Sequence, residues 1–362
     1  MLEVIIECET IQRQWANEHN YQVLNPENWM LEILSAQILW YKPDVVYAST
    51  LGTFPLSLLK ELKQKLGKST KWICYYGTKS ENIDVDFGEY DVVLTGFKPN
   101  LTDLNQAGIK SVFFPHYFDY DFSQEALKIS DEDIDFSFVG NVSMGGTEFN
   151  ERRDYILALI KKVNLRIWSK LNDDNCNRKE FYRILLHEKM YDLYHIINRT
   201  LPSKVTKLLP VIGKYAKINK RPDSSVFIHP KIKKVCSDAV FGAEMYKILR
   251  RSKLTFNSYI KMDSLGGRVP YPSGNIRTFE ATSVGSCLLT KYCKDLHHFF
   301  EPDVEVAVYR NISEAIDKSQ FLLKNAGERN KIAMAGFNRA HKDHSSKVRA
   351  KQFLEILKKE LH

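Results

Sequence analysis

Short, almost wholly apolar runs at 44–48, 71–76, 90–95 and 111–115 constrain the fold of this 362-residue chain more than any other feature. Helical patterns lie between and before them, at 28–39 (Trp29, Ile33, Leu34, Ile38), around 56–66 and at 99–107, the last ended by Gly108. A strand that is apolar on both faces needs cover on both sides. Strands alternating with helices therefore give a parallel sheet between helical layers. Ligands of such sheets collect at the carboxyl ends of the strands. That rule puts Gly52, Gly77 and His116-Tyr117 on one rim.

The rhythm repeats further on. A strand at 135–139 turns at Gly140-Asn141, a helix follows over 151–163, and 165–168 is again strand-like. From 172 to 230 the pattern breaks into a helix-rich, aromatic stretch (Phe181, Tyr182, Tyr191, Tyr194) and then a basic one with several prolines, which reads as an insertion. It resumes with a helix at 237–251, strands at 254–257, 287–290 and 305–309, and helices at 314–323 (capped by Ser313), 328–339 and 347–361. The stretch 118–133 is acidic and aperiodic, as an inter-domain linker would be. The expected division is a first domain at 1–120, a linker at 121–133, a second domain at 134–340 carrying the insertion 172–230, and a terminal helix at 341–362. Two doubly wound α/β domains fit the length, each with a core of its own.

Composition excludes several classes. With 44% hydrophobic and 27% charged residues the chain is neither disordered nor fibrous. Its apolar runs are too short to span a bilayer. Residues 1–8 lack the basic start and apolar core of a secretory signal, so a cytoplasmic protein is expected. Cys8, Cys74, Cys176, Cys236, Cys287 and Cys293 are scattered without a C-x-x-C pair. They suit reduced thiols better than disulfides or a zinc site. No repeat of solenoid spacing is present.

The net charge of +8 favours anionic partners, and much of it sits in 204–234: Lys204, Lys207, Lys214, Lys217, Lys220, Arg221, Lys231, Lys233 and Lys234, opposed only by Asp223. Nucleotide phosphates, an anionic acceptor, an anionic membrane surface or plain solvent would each suit this stretch. Nucleic acid is the least favoured partner, because no recognition module or stacking platform accompanies the charge.

The stretch 271–285 carries the clearest chemistry. Turn formers Pro272, Ser273 and Gly274 lead into a helical pattern with Ile276, Phe279 and Ala281 on its apolar side. Ser273 or Asn275 can serve as N-cap, and Gly285 ends the helix. A loop entering a helix presents unpaired N–H groups and the positive end of the helix dipole, which suit a phosphate. Arg277 in the first turn can add a forked cation to the same anion. Glu280, one turn on, can accept hydrogen bonds from a ribose diol. Spacing alone equally allows Arg277 and Glu280 to be a surface ion pair, worth roughly a few tenths of a kcal/mol.

Arg277-Thr278-Phe279-Glu280-Ala281-Thr282-Ser283-Val284-Gly285, then Leu288-Leu289-Thr290, then Phe299-Phe300-Glu301-Pro302-Asp303-Val304-Glu305 and Tyr309, resemble the carboxyl-terminal signature of GT-B glycosyltransferases, closest to the CgeB-like, "glycosyl transferases group 1" proteins. Glu328–Ala333, His341-Lys342-Asp343-His344-Ser345 and Arg349 are similar to that domain's last helices. Phe138-Val139-Gly140-Asn141 with Glu151-Arg152-Arg153 is similar to the start of its donor domain. Lys42-Pro43-Asp44-Val45-Val46-Tyr47 and Tyr90-Asp91-Val92-Val93-Leu94 resemble the amino-terminal domain.

The resemblance implies two Rossmann-like domains facing across a cleft, with Glu280 on the ribose of a nucleotide-sugar and Ser273, Gly274, Asn275 and Arg277 on its diphosphate. No metal or other cofactor is implied. One departure is that Pro272 stands where many retaining members carry a further glutamate. Arg277 is the leading candidate to stabilise the departing pyrophosphate, ahead of Lys231, Arg251 and Lys253. Gly140-Asn141 either lets backbone approach the donor or is only a turn, and Asn257 is expected at the cleft. An inverting enzyme also needs a general base. His116 is the candidate, with Asp119 behind it, although a lone histidine is as readily structural. The Asp-x-Asp triplets at 84–86, 119–121, 131–133 and 133–135 read as solvent-facing.

The expected function is transfer of a sugar from a nucleoside-diphosphate sugar to a carbohydrate or lipid-linked acceptor, in surface polysaccharide or glycoconjugate synthesis. The basic stretch 204–234 would then rest on the inner face of an anionic membrane. The alternative is a non-catalytic GT-B-like protein that binds a glycan or a nucleotide.

Overall fold

The computed structural model describes residues 4, 6–49, 52–77, 86–142, 148–171, 178–200, 214–215, 218, 222, 227–258 and 275–361. The chain divides into two compact units, Met1–Pro115 with Gln352–His362, and His116–Lys351.

The first unit contains α1 (Glu9–Glu18), α2 (Trp29–Tyr41), β1 (Val45–Ala48), α3 (Leu56–Leu66), β2 (Lys71–Tyr75), β3 (Val92–Thr95), α4 (Lys98–Gln106) and β4 (Ser111–Phe113). Among the described residues the strands form a parallel sheet in the order β1-β2-β3-β4. Successive side chains point to opposite faces. Trp72, Cys74 and Val93 accordingly join Leu34, Ile38, Leu59 and Leu62 on one side. Ile73, Val92 and Leu94 meet Phe353, Ile356 and Leu357 on the other. That second cover comes from the far end of the chain: Gln352 Nε2 donates to the Phe113 carbonyl at 2.9 Å, and Lys110 pairs with Glu360 at 2.6 Å. Helix α1 has no counterpart in the sequence reading. It buries Trp15 and Ala16 against Ile33.

The second unit contains α5 (Tyr120–Ala126), β5 (Ile134–Val139), α6 (Glu148–Ile160), β6 (Leu165–Trp168), α7 (Arg178–Thr200), α8 (Pro230–Val235), β7 (Cys236–Ser237), α9 (Gly242–Arg250), β8 (Ser252–Asn257), α10 (Ile276–Ser283), β9 (Cys287–Lys291), β10 (Ala307–Tyr309), α11 (Ile312–Lys324), α12 (Ala326–Asp343) and the start of α13 (Ser346–Leu361), which passes into the first unit after Lys351. Among the described residues the sheet order is β10-β9-β8-β5-β6-β7, parallel throughout. The chain enters at β5, runs outward through β6 and β7, and then returns to lay β8 on the other flank of β5. The winding direction therefore reverses between β5 and β8. Phe136, Phe138, Tyr155, Ile156, Leu159, Phe256, Leu289 and Tyr309 are prominent in the core, with Phe256 and Tyr309 stacked at 5.3 Å.

Several boundaries differ from expectation. The 237–251 helix starts only at Gly242, because Cys236 and Ser237 pair with Ile167 and Trp168 as β7. Helix α11 is capped by Asn311, whose side chain accepts from the Glu314 amide at 2.9 Å, and not by Ser313. The stretch 121–133 is no bare connection. Asp119 caps α5 by accepting from the Phe122 amide at 2.9 Å, and Ser123 Oγ donates to the Ser283 carbonyl at 2.9 Å. Of the insertion 172–230, helix α7 is described, whereas Lys204, Lys207, Lys217, Lys220 and Arg221 lie outside the described residues. Among the described residues no helix is long and apolar enough to cross a membrane.

The join between α12 and α13 is held by His344, which is buried. Its Nε2 donates to the Phe299 carbonyl at 2.9 Å, and its Nδ1 accepts from Arg349 Nη2 at 3.1 Å. Burial, reinforced by the Arg349 charge, pushes the imidazole down to about 4 from its ordinary 6.5. The unfolded chain takes up this proton near 6.5 and the folded chain only near 4. The contribution is therefore complete above 6.5 and is lost as the pH falls towards 4, a change of about 3 kcal/mol. Denaturant unfolding at pH 7 and pH 5 is expected to show about 2 kcal/mol of this loss in the wild type and a smaller one in His344→Gln. An equal loss in both would contradict the assignment.

Candidate functional site

In an open parallel sheet the ligand crevice lies outside the carboxyl ends of the strands where the winding reverses. In the second unit that point is the exit of β5 at Val139-Gly140-Asn141 beside the exit of β8 at Asn257-Ser258. Helix α10 begins there. Its end is fixed by Gly285, whose φ of +79° suits a residue without a side chain. The Ser286 amide reaches back to the Ala281 carbonyl and the Gly285 amide to that of Thr282, at 3.2 and 3.1 Å, a Schellman closure.

The start of α10 is built differently. Asn275 is the N-cap residue, yet its side chain caps no helix amide. Its Nδ2 donates instead to Asn257 Oδ1 at 3.0 Å, and its Oδ1 accepts from Thr278 Oγ1 at 3.4 Å. Asn257 is buried, and its Nδ2 donates to Thr290 Oγ1 at 3.0 Å and Thr278 Oγ1 at 3.3 Å. The end of β8, the end of β9 and the start of α10 are thereby joined through one amide network. The first helix amides, of Ile276 and Arg277, make no hydrogen bond among the described residues.

Arg277 lies across the switch point. Its Nε donates to the Val139 carbonyl at 3.1 Å, and its Nη1 meets Glu280 Oε2 at 2.7 Å and Met245 Sδ. Its Nη2 has no partner among the described residues. The Arg277–Glu280 pair does have i,i+3 spacing, but it is not a surface pair: the side chains are 16% and 9% exposed. Burial raises the Glu280 carboxyl above its ordinary range, while the neighbouring guanidinium draws it back down. Tyr246, packed near this pair, is raised by its own burial and then by the Glu280 charge.

The other expected site residues take varied places. Gly140 donates its amide to the Trp168 carbonyl at 3.0 Å, and a side chain there would start 3.3 Å from the Phe138 ring. The Asn141 carbonyl accepts from Arg152 Nη1 at 2.8 Å. Ser273 and Gly274 lie outside the described residues. His116 is half-buried, burial depresses its imidazole, and neither Arg277 nor Glu280 bonds to it. Asp119 is occupied as the cap of α5, with its amide donating to Tyr246 Oη at 2.7 Å. Arg251 and Lys253 sit at the opposite, amino end of β8 and pair with Asp133 and Asp135. They do not line this crevice. Asp86 caps a short helical turn by accepting from the Gly88 amide, and Lys231 is exposed on α8. Among the described residues no group of three or more His, Cys, Asp and Glu side chains is placed to hold a metal ion.

The structure adds residues that the sequence reading did not assign. Arg152 of α6 is buried and spans from Asn141 to Ser258, donating to both carbonyls. Lys291 at the end of β9 is ion-paired with Glu151 and lies 5.6 Å from the Tyr155 ring centroid. Tyr309 Oη donates to the Asn257 carbonyl at 2.9 Å. Arg152 does leave a trace in the sequence. It falls with Tyr155, Ile156 and Leu159 on one helical stripe, where a charge among apolar residues is out of place.

Residues 213–355 match a family model described as glycosyl transferase-like. No curated protein sequence matches the chain. Solved structures similar in fold include Anabaena HepE in complex with UDP, at 12% identity and TM-score 0.55, covering 96% of this chain and 89% of that one. Sucrose-phosphate synthase from Thermosynechococcus elongatus aligns at 11% identity and TM-score 0.53, over 91% and 76% of the two chains. AviGT4, a glycosyltransferase of avilamycin A biosynthesis, aligns at 14% identity and TM-score 0.52, over 91% and 78%.

Proposed function

We infer, for a chain of GT-B fold whose residues 213–355 are glycosyl transferase-like, that it transfers a sugar from a nucleoside-diphosphate sugar to a hydroxyl acceptor. The observation that carries this reading is the buried Arg277–Glu280 pair at the amino end of α10, at the point where the second sheet reverses its winding. The diphosphate rests on the open amides of Ile276 and Arg277 and on Arg277 Nη2. Glu280, paired with Arg277, accepts hydrogen bonds from the two ribose hydroxyls. When the bond from the sugar C1 to the diphosphate oxygen breaks, its electron pair goes to that oxygen, and the acceptor hydroxyl oxygen bonds to C1 as its proton passes to a base or to the departing diphosphate. Fixed amides and a guanidinium already aimed at the developing charge need no reorganisation during the reaction. No metal or other cofactor is assigned in this reading.

Similar folds crystallised with UDP and UDP-glucose support a nucleotide-sugar donor and make the uridine series the first to test. The acceptor in this reading is a carbohydrate or lipid-linked glycan of surface polysaccharide or glycoconjugate synthesis. The basic residues of 204–234 would hold the protein at the inner face of an anionic membrane. His116 remains the proposed base should the reaction invert.

Incubation with UDP-, GDP-, ADP- and dTDP-sugars is expected to release the nucleoside diphosphate from one of them, faster once a glycan acceptor is added. Binding of the donor without any release would favour a non-catalytic nucleotide-binding protein. Neither binding nor release would remove the reading altogether.

A further inference from the structure

We propose that Arg152 is a positioning residue whose guanidinium fixes the width of the donor crevice by tying the exits of β5 and β8 together. The proposal rests on the reading of that crevice as a nucleotide-sugar site.

Arg152 is only 9% exposed. Its two terminal nitrogens diverge onto two loops: Nη1 donates to the Asn141 carbonyl at 2.8 Å, and Nη2 to the Ser258 carbonyl at 2.5 Å. Asn141 is the second residue after β5 and Ser258 the first after β8. Within the strands, main-chain pairing of β5 with β8 runs from Ile134↔Ser252 to Ser137↔Thr255 and goes no further. The walls of the crevice are therefore set by the side chains that bridge them, and among the described residues Arg152 hydrogen-bonds to both.

The guanidinium is suited to that task. It is planar and forked, so two carbonyls held by one such group are fixed in distance and angle, which a single ammonium cannot do. Its placement is determined in turn by α6, where Tyr155, Ile156 and Leu159 on the same stripe are packed into the core. The ring of Phe138, from the adjoining strand, lies 5.8 Å from its central carbon. Arg277 closes the same gap from the α10 side, with Nε on the Val139 carbonyl. Asn257, the residue before Ser258, is held by Tyr309 through its carbonyl and by Asn275 and two threonines through its side chain. Arg152 thus sets the wall spacing, and Arg277 and the helix amides meet the donor.

Losing this bridge is expected to act on binding rather than on the chemical step, because the donor must then order the two walls itself. Arg152→Met and Arg152→Lys are compared with wild type by titration with UDP, GDP and ADP and by donor kinetics, well below the melting temperature of each variant. Arg152→Lys keeps the charge and one of the two bonds and serves as the variant expected to fold. In Arg152→Met the dissociation constant for the bound nucleotide and the donor KM rise together by about 10- to 100-fold, while kcat changes by less than about threefold. Arg152→Lys lies between. Millimolar guanidinium, at concentrations far below denaturing ones, restores nucleotide affinity to Arg152→Ala, whereas ammonium does not.

A role confined to stability predicts a lower melting temperature with unchanged dissociation constant and KM in the folded protein, and that result overturns the proposal. A fall in kcat at unchanged KM overturns it as well. Failure of the wild type to bind any of the three nucleotides is a separate outcome: it removes the nucleotide-sugar reading, and the proposal with it.

Discussion

Replacing Arg277 by alanine is expected to lower kcat/KM for the donor by about 10²- to 10³-fold, the usual loss when one preorganised donor to a developing anion is removed. The guanidinium has two tasks in this account. Its Nη2, without a partner among the described residues, meets the diphosphate, and its Nη1 pairs with Glu280 and draws down a carboxyl that burial raises. Its loss therefore weakens both ends of the nucleotide. Glu280 is left buried and unpaired, and its carboxyl rises further above the ordinary 4.5.

The stability consequence has a definite sign. A carboxyl raised on folding favours the folded state at low pH, and this contribution is lost as the pH climbs through the raised value. Arg277→Ala should accordingly lose stability between acid and neutral pH more steeply than the wild type. Removing one partner of a buried pair costs about 3 kcal/mol or more, whereas replacing both by neutral groups of similar size is often tolerated. The double variant Arg277→Met, Glu280→Gln is expected to regain stability without regaining activity. Recovery of activity in the double variant would show that the pair is structural only.

The largest loss of stability expected from a small addition is at Gly336. A methyl group on this buried glycine of α12 would start 2.3 Å from the Glu305 carbonyl oxygen, a backbone atom that no rotamer change can move. It would also meet Thr282 Cγ2 at 3.4 Å. Gly336→Ala therefore forces α12 away from the loop before β10 or from α10. Such overpacking costs about 3 kcal/mol, since a close-packed interior relaxes only in part. The melting temperature is expected to fall by about 6–12 °C for a domain of this size. Because Thr282 belongs to the helix that bears Arg277 and Glu280, donor binding should weaken too. A melting temperature within a degree of wild type would mean that the approach of α12 to this loop is wrong.

Much of the architecture was legible in sequence because the deciding signals are local. Runs such as 71–76 are too apolar and too short to be anything but buried strands. Gly285 marked the end of α10 because the closure there requires a positive φ. What escaped the sequence depends on partners far along the chain. Helix α5 has little periodicity of its own and is held by Tyr246 and Ser283. The helix that covers the second face of the first sheet lies at the opposite end of the chain.

The candidate site divides in the same way. Arg277 and Glu280 were readable from one helix turn, but the surface pair that their spacing allows could be told from a buried one only by what packs over them. Asn257 was expected at the cleft, whereas its amide is consumed in supporting Asn275. Arg152 sat on an apolar stripe as an anomaly, and its acceptors are two backbone carbonyls more than a hundred residues apart, which no residue pattern encodes.

The central claim is that a nucleoside diphosphate rests on the amino end of α10. A crystal structure of the protein soaked with UDP, or with whichever of GDP and ADP binds instead, tests it most directly. The account predicts diphosphate oxygens within hydrogen-bonding distance of the Ile276 and Arg277 amides and of Arg277 Nη2, with both ribose hydroxyls on Glu280. A nucleotide bound elsewhere, or one whose diphosphate leaves those amides untouched, would contradict it.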